Sequence, residues 1–445
     1  PLGANRPAWW LGLAPGAGGL LAAQMVLDLS GPAGPRLWRR VVPIALCYLA
    51  AVGWAAVQAG PAPVAGWAHP AWAEAGIVPG AISADPAMTW HGVLRLLGYG
   101  AIFWVAARGG ADEGRARLFV AGFAAFSVAL ALYGLVALYA GENPITGPSA
   151  YPGVVTASFV NRNAYAYYAG LGLMATIATL AFLVPPGRTG RGWRQTLRDM
   201  IEALGDGAWA PVFGIGVLLV ALVQTESRAG TAASLGGAGV LAAILLAQRG
   251  RTMRRLGIGL LGVAAVVVSL TGQRLGDRLG ADPLEDQRAD LFVHVIEGIA
   301  ASPWLGHGLG AFQDAFRTYM TSDFSRADWA QAHNSYLENA FELGLPAAGA
   351  LYLGLAILAL SLGRGVARRQ RLRALPALGL CALGAGALHA TVDFSLQMPA
   401  SAAALAFLTG IGWSQSHMAR QGARSAVTAP RPEHASSRHR ARGPD

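Results

Sequence analysis

The chain has 445 residues, of which 54% are hydrophobic and only 13% charged, whereas a soluble domain of this length carries about 25% charge. The formal net charge is +10, and all 34 basic residues are arginine. Such a charge could suit a nucleic-acid partner, but long apolar runs separate the arginines. That is the pattern of a membrane protein that keeps positive charge in short loops, and it argues against nucleic-acid binding.

A membrane-spanning helix needs about 20 mostly apolar residues. Eleven stretches qualify, near 8–28, 42–60, 89–107, 116–140, 161–184, 209–225, 230–247, 255–271, 337–362, 374–391 and 399–416. The first is the weakest, because Pro15 and several glycines interrupt it. The pair 209–225 and 230–247 predicts a tight hairpin around Gln224, Thr225, Glu226, Ser227 and Arg228. The fold expected is an all-α, polytopic transmembrane helical bundle. Cys47 and Cys381 both fall inside apolar runs and read as small core residues, not as a disulfide.

Arginine counting sets the orientation. Alternate loops and the C-terminal tail hold 25 of the arginines, and the opposite loops and the spans hold the other nine. By the positive-inside bias the richer face is cytoplasmic. The nine exceptions are Arg6, Arg95, Arg162, Arg228, Arg274, Arg278, Arg288, Arg317 and Arg326. Eleven spans then put Pro1 outside, and one further helix upstream would make twelve. The expected organisation is N-terminal spans over 1–271, a large outer loop over 272–336, C-terminal spans over 337–416 and a disordered cytoplasmic tail over 417–445. Within the loop, Leu291, Phe292, Val295, Ile296 and Ile299 recur at helix spacing, and 311–320 reads as a second short helix. A loop of this length with its own amphipathic helices is more often functional than a plain connector.

The candidate chemistry lies among the exceptions. Arg228 sits in the short hairpin at the outer end of two spans, where it either binds substrate or pairs with Glu226. Arg288 opens the loop helix, where a cation opposes the helix dipole; a salt bridge to Glu285, Asp286 or Asp290 is the competing reading. Arginine presents a planar fork of donors that suits phosphate oxygens. His333 and Asn334 precede the span that carries Glu338, which puts an imidazole and an amide at an outer helix mouth. A histidine there can take a proton from a hydroxyl, although a lone histidine is usually structural. Arg162 opens another span, either to bind substrate or as an interfacial arginine beside an Asn161 cap. Arg95 and His91, in the outer half of the third span, are expected to face a cavity. His307, between glycines, reads as a turn residue, and His389 as packed within a span. No HExxH, paired CxxC, Walker A, dinucleotide fingerprint or GxSxG elbow is present.

In order and spacing, several segments resemble the O-antigen ligase and O-antigen polymerase superfamily. They are Ser158 to Asn163, Glu226 to Gly230, Arg288 with Leu291 and Phe292, Pro303 to Phe312, Ala332 to Glu338, Glu342 to Pro346 and His389 to Phe394. The resemblance covers roughly 158–410. It implies about twelve helices with one large periplasmic loop, in the bacterial inner membrane, with the active site facing the periplasm. It implies an inverting, metal-independent glycosyltransferase that uses no nucleotide sugar and no cofactor. The donor would be a glycan on undecaprenyl diphosphate, and the acceptor a sugar hydroxyl on lipid A core or on another lipid-linked glycan. Arg228 and Arg288 would grip the diphosphate, and His333 would orient or deprotonate the acceptor hydroxyl. Arg162, Asn334, Glu338 and Arg95 would complete the substrate site. The motifs do not separate ligase from polymerase. A transporter or flippase of polysaccharide lipids is the alternative; coupling charges near mid-membrane would mark it.

Overall fold

The computed structural model describes residues 15–20, 34–145, 147, 151–184, 198, 202, 204–247, 283–320, 329–369 and 373–417. Most of the span expected near 8–28, the one near 255–271, Arg6, Arg274, Arg278, Arg326, the arginines of 185–197 and 248–255, and the tail after 417 lie outside the described residues. So do the side chains of 283–289, Arg288 among them.

The expected spans become helices. They are α1 (Gly34–Ala59), short α2 (Pro70–Glu74), α3 (Pro86–Gly109), α4 (Glu113–Ala140), α5 (Arg162–Leu183), α6 (Trp209–Val223) and α7 (Arg228–Leu246). The outer loop supplies α8 (Pro283–Ala301) and short α9 (Phe312–Phe316), which runs into a 3-10 turn at Arg317–Tyr319. Then come α10 (Ser335–Arg368), α11 (Ala374–His389) and α12 (Pro399–His417). Among the described residues the only extended pairing is one bridge between Pro61 and Ala81. Among the described residues six helices are long and apolar enough to cross a membrane: α1, α4, α5, α6 with its leading turn, α7 and α10. The chain is thus an all-α, polytopic bundle.

Local chemistry fixes where helices begin. Asp85, Asp112, Asn161, Ser227 and Asn334 each stand at an N-cap and accept a hydrogen bond from a first-turn N–H. Pro86 occupies the first turn of α3, where its missing N–H costs nothing. At its far end α4 closes on Gly141, left-handed at φ 74°. Helix α5 is the central post, with 67% of its apolar window buried. Small residues let its neighbours approach: the Ser234 hydroxyl on α7 donates to the Ala166 carbonyl at 3.1 Å.

Helix α10 is broken. Gly344 adopts φ 75°, ψ 160° within it, and Pro346 follows two residues later. Pro346 has no N–H to give the Glu342 carbonyl, four residues earlier. That carbonyl instead accepts from the N–H of Gly308 at 2.9 Å and of His307 at 3.1 Å, and from Gln58 Nε2 at 2.8 Å. The Phe341 carbonyl also accepts from the His307 N–H, at 3.0 Å, while Leu345 N–H turns outward to Pro303 O at 2.8 Å. Every backbone group that the break exposes near the apolar interior is therefore met by the segment 303–308 or by Gln58. Irregular backbone at membrane depth survives only under such conditions.

The fit is close. A Cβ at Gly306 would overlap the Glu342 carbonyl oxygen, whereas one at Gly76 would meet nothing within 4 Å, and both glycines have φ of 69°. Gly76→Ala therefore reports backbone strain alone, about 1 kcal/mol. Gly306→Ala adds the clash, and its loss should exceed that of Gly76→Ala by about 2 kcal/mol or more. Thermal unfolding in detergent measures both; equal midpoints would contradict the packing described.

Candidate functional site

Helices α5 and α7 begin side by side. A Cβ at Gly230 would lie 2.7 Å from Ala166 Cβ and 3.3 Å from Asn163 O, so glycine is what lets the two N-termini meet. Each helix opens with an arginine directly after its cap: Arg162 after Asn161, and Arg228 after Ser227. Two helix N-termini, each opening with an arginine, thus stand at one place, an arrangement suited to an anion. Arg162 lies over the Tyr151 ring at 5.4 Å and 3.8 Å from Glu226, with the arginine side chain 35% and the glutamate side chain 68% exposed. An ion pair that exposed is weak and easily exchanged. Glu226, the alternative partner expected for Arg228, pairs instead with Arg162 across the two helix starts. Arg228 itself is half-buried.

His333 is held in the left-handed region at φ 53°. Its ring packs edge-on against Phe394 at 4.9 Å and Trp329 at 5.9 Å. Asn334 Oδ1 caps α10 by accepting from the N–H of Tyr336 and Leu337, and its Nδ2 donates to Thr391 O at 3.0 Å. Glu338 is 2% exposed, and its Oε2 accepts the Ala332 N–H at 2.8 Å. Asn334 and Glu338 therefore both bond to backbone. Arg95 borders an apolar cavity of about 730 Å³, together with Tyr99, Tyr336 and Asn339. Its charge also acts favourably on Glu338 and Glu342.

The two groups share one end of the bundle. Ser335 N–H donates to Ala390 O at 2.9 Å and its hydroxyl to Asp393 O at 3.1 Å. The same turn leads to Ser401, whose hydroxyl donates to Ala164 O at 3.4 Å. The 390–401 segment thus joins the His333 turn to the start of α5. Helix α8, which carries Arg288 in its backbone, packs through fully buried Leu291 and Val295 into an apolar cluster with Phe312, Phe316, Trp329, Ala332 and Phe341. The loop helices and the His333 turn are one packed unit.

Some residues carry more than the sequence suggested. His307 is not a mere turn residue. It is 3% exposed, its Nε2 hydrogen-bonds Gly298 O at 3.0 Å, and its ring packs on Phe341 at 4.3 Å and His69 at 5.4 Å. Gln58, which meets the carbonyls of Leu305 and Glu342, belongs to no motif; a glutamine inside an otherwise apolar run is the one signal it gives. His389 is buried at the end of α11, 3.7 Å from Asp393, in agreement with the packed role expected.

Residues 213–352 match the family model described as O-antigen ligase. The match lies in the middle of the chain and supports its likeness to the O-antigen ligase and polymerase superfamily, a class of membrane glycosyltransferases. The matched segment contains Arg228, Arg288, His333, Asn334 and Glu338 but neither Arg95 nor Arg162. A search of curated proteins found no match.

His307 gives a pH test. Burial pushes its imidazole down to about 4 from 6.5, helped by neighbouring His69 and opposed by the bond to Gly298. The unfolded chain takes up this proton below about 6.5 and the folded one only near 4. Stability contributed by neutral His307 is thus complete above 6.5 and is lost as pH falls towards 4, by up to about 3 kcal/mol. His69 is lowered in the same direction by burial. The thermal midpoint should drop between pH 7 and pH 5, and His307→Gln should flatten that drop without abolishing it. An unchanged slope in the variant would contradict the assignment.

Proposed function

We propose that this protein moves a glycan from undecaprenyl diphosphate to an acceptor sugar hydroxyl at the periplasmic face of the bacterial inner membrane, as an O-antigen ligase or polysaccharide polymerase. The observation that carries the reading is the pairing of Arg162 and Arg228 on two adjoining helix N-termini, at the bundle end that also holds His333. The donor's leaving group is a diphosphate, and its charge grows as the bond to the anomeric carbon breaks. Guanidinium forks and first-turn N–H groups stabilise such charge where it develops. Arg228 and Arg288 take the main share, with Arg162 alongside, once the diphosphate displaces the exposed Glu226 carboxylate.

The acceptor oxygen attacks the anomeric carbon, the bond to the diphosphate oxygen breaks with its electron pair, and the acceptor proton passes to His333. One displacement inverts the anomeric carbon. The arginine charges serve in place of a metal ion. The packing of His333 against Phe394 and Trp329 limits its motion, which favours a reactive geometry. A transporter would use the broken helix α10 to ligate a coupling ion. Here the carbonyls freed at the break are already met by 303–308 and Gln58, which disfavours transport.

The test uses purified protein in liposomes with lipid-linked glycan and acceptor. Arg228→Ala, Arg288→Ala and His333→Ala should each lower kcat by about a hundredfold or more. Full transfer by both Arg288→Ala and His333→Ala would sink the site assignment. Gene deletion separates the two activities. Loss of a ligase leaves bare core while lipid-linked polymer accumulates; loss of a polymerase leaves single repeats or no polymer.

A further inference from the structure

We infer that Glu338 is a positioning residue that fixes the backbone turn presenting His333. The inference rests on the glycosyltransferase reading of His333, and it changes the role expected of Glu338 from substrate contact to support.

The turn needs support because His333 carries a Cβ in the left-handed region at φ 53°, a conformation that relaxes unless its surroundings impose it. On the C-terminal side, restraint comes from the Asn334 cap and from the bonds of Ser335 to Ala390 and Asp393. On the N-terminal side, it comes from Glu338. The N–H of Ala332, the residue just before His333, donates to Glu338 Oε2 at 2.8 Å. Ala332 is fully buried and Glu338 is 2% exposed, so water does not replace the bond.

Glu342, one helical turn further along α10, makes a matching bond: its Oε1 accepts the Phe312 N–H at 3.2 Å. Two buried carboxyl groups on α10 therefore tie down both loop segments, 310–312 through Glu342 and 332–334 through Glu338. Burial also separates Glu338 from any substrate at the surface. Its influence on catalysis passes through the backbone of Ala332 to His333.

The experiment compares Glu338→Gln and Glu338→Ala with His333→Ala in liposomes, using the host's undecaprenyl-diphosphate-linked glycan as donor. Glu338→Gln keeps a carbonyl oxygen for the Ala332 N–H and should retain kcat within about threefold. Glu338→Ala should lose about ten- to a hundredfold in kcat, with the donor KM unchanged. The pH profile of Glu338→Gln should match that of the parent. Three outcomes overturn the inference. The first is full kcat in Glu338→Ala. The second is a rise in KM at constant kcat, which marks a substrate contact. The third is a folded Glu338→Gln as inactive as the alanine variant or with a shifted pH profile, which makes the carboxylate itself the acting group. If Glu338→Ala does not fold, Glu338→Gln alone decides by these criteria. Full activity in His333→Ala would instead defeat the underlying catalytic reading, whatever Glu338 does.

Discussion

The break in helix α10 is the constraint around which the functional end is built. A proline two residues after a left-handed glycine leaves the Phe341 and Glu342 carbonyls without helical partners within the bundle. Leaving them unmet would cost several kcal/mol each. The chain meets them with backbone N–H groups from His307 and Gly308, 34 residues earlier in sequence but adjacent in the fold, and with the amide of Gln58 from α1. The glycine-rich segment is therefore a plug shaped to a helix break. Its glycines answer to close approach and positive φ, and none is needed to cradle a nucleotide.

From that plug the rest follows. Docking of 303–308 places α9 and the apolar face of α8 against Phe341, and the same cluster takes in Trp329 and Ala332, which flank the His333 turn. The polar side of the arrangement is as closely built. Glu342 accepts the Phe312 N–H at the start of α9, and Glu338 accepts the Ala332 N–H at the turn. Removing either carboxyl group would leave a buried N–H without its acceptor, which is costly. These two bonds fix one geometry for both loop segments.

Much of this was legible in the sequence. The apolar runs gave the helices, and arginines that break the inside bias marked the end of the bundle where the anion-suited arrangement lies. Pairing was less legible. Glu226 stands two residues from Arg228 in sequence, yet its partner is Arg162, because Gly230 lets α5 and α7 start side by side. His307 looked like a turn residue because its neighbours are glycines; its burial depends on Phe341 and His69, which are remote in sequence. Gln58 was hidden for a related reason. One amide in an apolar run has no visible purpose until the break it serves, 284 residues away, is brought beside it. Spacing places Glu338 on the first turn of α10 but does not reveal that the Ala332 loop covers it.

Backbone conformation adds a feature that no motif carries. Among the described residues, three non-glycine residues have positive φ: Ala157 at 47°, Glu226 at 49° and His333 at 53°. Each lies just before one of the helices whose N-terminus opens at the functional end. Glu226 and His333 directly precede the caps Ser227 and Asn334, and Ala157 stands four residues before Asn161. A left-handed residue ahead of a cap turns the chain sharply, so that the first-turn N–H groups begin at the surface instead of behind a gradual approach. Residues with a Cβ adopt that conformation at a cost of about 1–2 kcal/mol each, and it persists only where packing imposes it. Two of the three have such contacts beside them: the Glu338 bond at Ala332, and the Thr225 hydroxyl that accepts the Ser227 N–H at 3.2 Å. Strain thus concentrates at the starts of α5, α7 and α10, and it fixes the direction in which each helix begins.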